Sequence, residues 1–245
     1  MHVRIAHLYP KRMSIYGDRG NVVALAKRCR WRNIAVSVDE VEVEDKLDAG
    51  RYDLFFFGGG QDQEQDTVAA DLARKSEALR DAVAGGAAVL AVCGGYQLLG
   101  RYYQPAEGER LDGVGIFDAH TEAGPKRLIG NVVAAPVAAG LGSRPLVGFE
   151  NHSGLTFLGD GAEPLARVKT GFGNNGQDGT EGCVAGRNGA AVGTYLHGSL
   201  LPKNPHLADW LIKAALRRRY KHARLGELED GFELVANERT AERFG

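Results

Sequence analysis

Apolar and polar positions follow two rhythms over the first hundred residues. Val3 to Tyr9 is a short apolar run broken by Arg4 and His7, which predicts a first strand, and Ile34–Val38 alternates as a half-buried strand does. Tyr52-Asp-Leu-Phe-Phe-Phe57 is apolar on both faces and stops at three glycines, Gly58 to Gly60, as a strand buried inside a sheet would. Between these runs the period lengthens to that of helices. Val22–Arg30 is one, with Asp18 and Asn21 placed to cap it. Asp66–Ala84 is a longer one, ended by Gly85-Gly86. Strands alternating with helices imply a mostly parallel sheet with crossover helices, an α/β fold whose sites form at the carboxyl ends of the strands.

Ala87 to Gly100 sharpens that expectation. An apolar strand ends at Cys93, two glycines follow, and a helix-compatible segment begins. Strand, tight turn and helix with a thiol at the turn make a nucleophile elbow, which lifts the side chain clear of the sheet and requires small neighbours; Ala91 and Gly95 supply them. The N-terminus of the following helix would favour thiolate at Cys93; an isolated cysteine at a strand end reads as a small buried hydrophobe, but small residues on both sides at the elbow spacing favour a nucleophile. Backbone N–H groups of Gly59 and Gly94, both at carboxyl ends of strands, can converge as an oxyanion hole. The alternative for the glycine triple is a flexible turn.

Beyond Tyr102 the pattern changes to short apolar segments separated by glycine: Gly113–Phe117, Leu128–Val137, Leu146–Phe149 and Ala190–Leu196. These predict further strands that complete or flank the sheet. Gly171–Gly182 reads as a mobile loop, Arg187-Asn-Gly189 as a hairpin turn, and Asn204-Pro205 as the start of a helix reaching about Arg219. The basic run Arg217–Arg224 suits a solvated helix end, and residues 225–245 read as a charged, weakly packed extension. A thiolate nucleophile needs a base. Of seven histidines, His197 ends a strand and is followed by Gly198, while His152 in Phe149-Glu-Asn-His-Ser-Gly154 is its rival.

Composition narrows the setting. With 30 basic and 31 acidic residues in 245, the chain lacks the electrostatic footprint of a nucleic-acid binder. No apolar run approaches the roughly 20 residues that span a bilayer, and the first residues lack a signal peptide's apolar core, so a soluble cytoplasmic protein is expected. Cys29, Cys93 and Cys183 form neither a zinc pattern nor a disulfide framework, so no metal site is expected.

Ala91-Val-Cys-Gly-Gly-Tyr-Gln97, with the distant Gly193-Thr-Tyr-Leu-His-Gly198, resembles the class I (triad-type) glutamine amidotransferases. Ala91 replaces their usual glycine, and Gly198-Ser199 replaces the Pro-Glu that usually follows the histidine; both departures match the cobyric acid synthase-like branch. Tyr9-Pro10, Ile15–Asn21, Phe57–Glu64, Phe149–Gly154 and Gly193–Pro205 extend the resemblance across nearly the whole chain, toward glutaminase subunits that serve a MurT-type ligase in lipid II amidation. The resemblance implies a three-layer flavodoxin-like fold and one amidotransferase domain over 1–245, with an extension from about 225. It implies that Cys93 attacks L-glutamine, that His197 is base and then acid, and that Arg127 holds the substrate. It also implies a heterodimer with the ligase, which would bring lipid II, ATP and magnesium. No phosphate-binding loop occurs in this chain, so the chain itself is expected to carry no cofactor. The acid missing after His197 would then come from the partner. The other readings are a glutaminase for a cobyrinate-like acid, a cysteine peptidase or deglycase, and a non-catalytic binding subunit.

Overall fold

The computed structural model describes residues 1–14, 17–60, 62–197 and 200–245. The parts of the expected motifs that fall on Ile15, Tyr16, Gln61, Gly198 and Ser199 lie outside the described residues.

The first half builds the expected α/β layer: β1 (His2–Leu8), α1 (Arg19–Trp31), β2 (Ala35–Val41), β3 (Leu54–Phe57), α2 (Asp62–Ala84), β4 (Ala88–Val92) and α3 (Gly94–Leu99). β2, β1, β3 and β4 lie side by side in parallel. The second half returns to this sheet at its far edge. β12 (Ala191–Thr194) pairs in parallel with β4, and β11 (Cys183–Ala185) closes the edge as the only antiparallel strand of the six. Every residue of β3, β4 and β12 is buried, as continuous apolar strands between two helical layers must be. α4 (Leu200–Lys203) and α5 (Pro205–Arg219) pack with α1, and α5 lies against β1, β3 and β4. α2 and α3 pack together, with α3 against β4 and β12.

The glycine-rich middle flanks this layer with a second sheet: β5 (Tyr102–Gln104), β6 (Leu111–Asp112), β7 (Ala119–Pro136), β8 (Leu146–Leu158), β9 (Ala166–Thr170) and β10 (Thr180–Glu181). Its spine is the long antiparallel pair β7–β8, with a register break between Ala123 and Leu128.

Three expectations need correction. Gly171–Gly182 is pinned: Asn174 donates to Thr180 Oγ1 at 2.9 Å and to the Gly182 carbonyl at 3.0 Å, and Asn175 donates to Asp178 Oδ2 at 2.7 Å. Both asparagines are buried, so the polar residues that suggested mobility supply the loop's internal bonds. Residues 231–244 form a helix, α6 (Gly231–Phe244), docked on α4, β7 and β8. Its one buried residue, Asn237, donates to the Pro145 and Lys203 carbonyls at 3.0 and 2.9 Å, a polar anchor that a search for apolar periodicity passes over. Asn204 does precede α5, but its amide clamps the Val147 peptide of β8, accepting at 3.0 Å and donating at 2.8 Å, and does not cap the helix.

A cavity of about 1540 Å³ opens at the amino ends of β4 and β12, lined by Gly85, Ala190, Trp210 and Arg217 among others. It contains neither Cys93 nor His197. Beside it, Arg28 of α1 ties three helices together. Its guanidinium pairs with Asp230 through two bonds of 2.6 and 2.7 Å and with Asp209 of α5 at 2.7 Å, while Arg32 takes the other Asp209 oxygen at 2.6 Å. Burial works against the charge of Arg28, yet the two carboxylates outweigh it and hold the group more firmly protonated than usual. Removing one member of a buried ion cluster strands the others. Arg28→Met is therefore expected to lower unfolding free energy by about 3–5 kcal/mol in urea titration; a loss under about 1 kcal/mol would show that α6 and α5 do not depend on this charge.

Candidate active site

Cys93 follows β4 directly and has φ 50°, ψ −109°, a conformation that side-chain-bearing residues rarely adopt. The turn survives because its neighbours are minimal. A Cβ on Gly95 would stand 2.5 Å from the Phe57 carbonyl oxygen, so the first turn of α3 can lie on the end of β3 only if residue 95 has no side chain. The elbow expected from the sequence is present, and Cys93 is 8% exposed, with its peptide N–H donating to the Thr194 carbonyl at 2.9 Å.

His197 lies three residues past β12. Its N–H donates to the Phe149 carbonyl of β8 at 2.8 Å, which turns the chain from the central sheet toward the second sheet. The ring then reaches Cys93. A Cβ built on Gly59 would stand 3.0 Å from His197 Cε1 and 3.3 Å from Cys93 Cβ, so both side chains border the same point in space. His152 goes elsewhere. It is fully buried, Nδ1 bonds the Gly154 carbonyl at 2.7 Å, and the ring stacks on Tyr195 with centroids 3.6 Å apart. The structure thus separates the two rivals, and His197 is the one beside the thiol.

Asp18 is the residue the sequence reading assigned wrongly. It precedes α1 but makes no side-chain cap there. Its buried carboxylate turns inward instead: Oδ2 accepts the Gly59 N–H at 2.7 Å and Oδ1 stands 3.4 Å from His197 Nδ1. An acid therefore faces the histidine within this chain, where the sequence reading expected one from a partner. Burial alone would discharge His197. Its hydrogen bonds and charge interactions with Asp18 and Cys93 outweigh that and raise it to about 10.

The glycine triple is not a flexible turn. A Cβ on Gly60 would meet Met13 Sδ at 2.1 Å and one on Gly58 would meet the Met13 carbonyl at 2.4 Å, so the segment before α1 lies directly on these glycines. The N–H of Gly59, expected in the oxyanion hole, donates to Asp18 Oδ2 at 2.7 Å. The N–H of Gly94, first residue of α3, has no intrahelical acceptor. Arg127 is on an exposed stretch of β7 at the register break, donating to Asn151 Oδ1 at 2.9 Å. Two buried amides were missed. Gln65 Nε2 lies 3.1 Å from the Cβ position of Gly94 and donates to Gln97 Oε1 at 3.3 Å. Gln97 in turn donates to the Tyr195 hydroxyl at 3.2 Å. No apolar period marks either amide as functional. Among the described residues no group of three or more His, Cys, Asp or Glu side chains is arranged to hold a metal ion.

Residues 4–205 match the model of the CobB/CobQ-like glutamine amidotransferase domain. The chain belongs to this family. The amidotransferase is 39% identical over 220 residues to the lipid II isoglutaminyl synthase (glutamine-hydrolyzing) subunit GatD of Staphylococcus aureus, covering 89% of this chain and 87% of that one. It is 40% identical over 219 residues to the Streptococcus pneumoniae subunit of the same name, covering 89% and 82%. Among solved structures, a glutamine amidotransferase aligns over 86% of this chain and 98% of its own, with a TM-score of 0.52 at 17% identity, a likeness of fold.

Two measurements follow from the electrostatics. Burial pushes the Cys29 thiol up to about 11 and the Cys183 thiol up to about 12, and both are fully enclosed. Iodoacetamide at pH 8 is expected to label Cys93 alone, read by peptide mass spectrometry; early labelling of the other two would contradict this packing. Because His197 is raised above its ordinary 6.5, its contribution to stability is complete below that pH and is lost as pH rises through about 10. The urea midpoint of the wild type should fall more steeply between pH 7 and 10 than that of His197→Gln, and equal slopes would show an uncharged ring.

Proposed function

We propose that this chain is a glutaminase subunit that hydrolyses L-glutamine and passes ammonia to a MurT-type ATP-dependent ligase, for amidation of the D-glutamate α-carboxyl of the lipid II stem peptide. The observation that carries the proposal is a buried imidazole between a carboxylate and a thiol at a strained elbow. The two GatD relatives supply the acceptor and the partnership, since the chain spans most of the length of each.

In this reading Cys93 Sγ attacks the side-chain amide carbon of glutamine, forming a C–S bond and moving an electron pair onto oxygen. The Gly94 N–H donates to that oxyanion. Protonated His197 gives its proton to the amide nitrogen, the C–N bond breaks, and ammonia leaves from a γ-glutamyl thioester. Neutral His197 then takes a proton from water, whose oxygen attacks the thioester carbon. The C–S bond breaks, releasing glutamate and restoring the thiolate–imidazolium pair. Asp18 orients the ring and stabilises its charge, the part that a carboxylate plays in triads generally. Arg127 is the proposed partner of the substrate α-carboxylate, for which a guanidinium is the natural match. ATP and magnesium belong to the ligase, and the heterodimer works in the cytoplasm.

The test is glutamate release from L-glutamine, with and without the co-expressed ligase. Cys93→Ser is expected to abolish it. Asp18→Asn should lower kcat by about 10²–10⁴-fold while KM moves by less than about threefold. Wild-type turnover by Asp18→Asn in the complex would return the third residue to the partner. No glutamate release from wild type in either setting would sink the glutaminase reading altogether.

A further inference from the structure

The end of β12 poses a problem that the catalytic reading leaves unsolved. After Thr194, whose carbonyl accepts the Cys93 N–H, the chain leaves the central sheet so that His197 can bond Phe149 in the second. The peptide N–H groups of Tyr195 and Leu196 then lose a neighbouring strand while fully buried, and buried donors must find acceptors. One side chain supplies the first and prepares the second. Glu181, at the end of β10 in the second sheet and 0% exposed, accepts the Tyr195 N–H at 3.0 Å and the Thr194 hydroxyl at 2.5 Å, both on Oε1. Thr194 Oγ1, fixed by that bond, accepts the Leu196 N–H at 3.1 Å. Glu181 thus takes the place of a sheet neighbour over the three residues that lead to the histidine.

We infer that Glu181 is a positioning residue for the Cys93–His197 pair: its Oε1 sets the path of Thr194–Leu196 and thereby the separation of imidazole and thiol. This rests on the proposed catalytic reading of that pair. The other carboxyl oxygen, Oε2, is buried with no hydrogen-bond partner among the described residues, an expensive arrangement for a residue that served packing alone. Burial pushes this carboxyl up to about 7; Thr194 and Tyr195 oppose that rise, and the charged groups facing it are Glu150, which adds to it, and His197, which opposes it. An amide at position 181 keeps an acceptor oxygen where Oε1 stands. Alanine does not.

The experiment compares Glu181→Ala, Glu181→Gln and Thr194→Val with wild type in two assays on the full chain. The first follows the pH dependence of Cys93 alkylation by iodoacetamide and requires no glutamine. The second splits kcat from KM for glutamate release by the ligase complex. Glu181→Ala and Thr194→Val are expected to move the alkylation midpoint by about one pH unit or more toward that of His197→Ala, and to lower kcat at least about 30-fold with KM within about threefold. Glu181→Gln is expected to restore most of both. A folded Glu181→Ala with the wild-type alkylation profile overturns the inference. Should that variant not fold, a wild-type profile for Thr194→Val overturns it equally. If the glutaminase reading fails, wild type releases no glutamate although alkylation still responds to position 181.

Discussion

The Asp18 carboxylate makes the contacts on which the site depends. One oxygen accepts the Gly59 N–H and the other faces His197, so a residue ahead of the first helix, a glycine after the third strand and a histidine near residue 200 share one buried charge. None of these segments is adjacent in sequence, and the sheet order β1, β3, β4, β12 brings their ends together. The parallel sheet is therefore more than a scaffold. It aligns the carboxyl ends of four strands, and the loops that leave them have only one place to meet.

That arrangement accounts for what was legible beforehand. Apolar runs and their glycine stops placed β1, β3, β4 and the elbow, because such strands are buried on both faces and every residue reports it. Cys93 and His197 were legible because each ends an apolar run of the sequence. The second sheet was visible only as scattered short segments, since a sheet with one exposed face alternates and the β7–β8 pair breaks register at Ala123.

What escaped the sequence has a common cause. Asp18 and Asn204 stand where short polar side chains usually cap helices, and each instead makes a buried tertiary bond; Asn174 bonds within its own loop, and Asn237 ties the middle of α6 to distant carbonyls. Local preference and distant use look identical in the one-dimensional pattern. Glu181 was hidden in the same way, as one of two acids in a glycine-rich stretch, and Arg127 shows the converse: a position marked by resemblance whose side chain is exposed.

The backbone at Cys93 has a consequence for how this chain can change over time. A residue with a Cβ is held at positive φ at a buried turn, and glycine would occupy the same turn with less strain. Any drift toward a more stable fold therefore runs, at this position, toward loss of the thiol. A lineage that keeps cysteine here gives evidence, through the stability it forgoes, that the sulfur is under selection for chemistry.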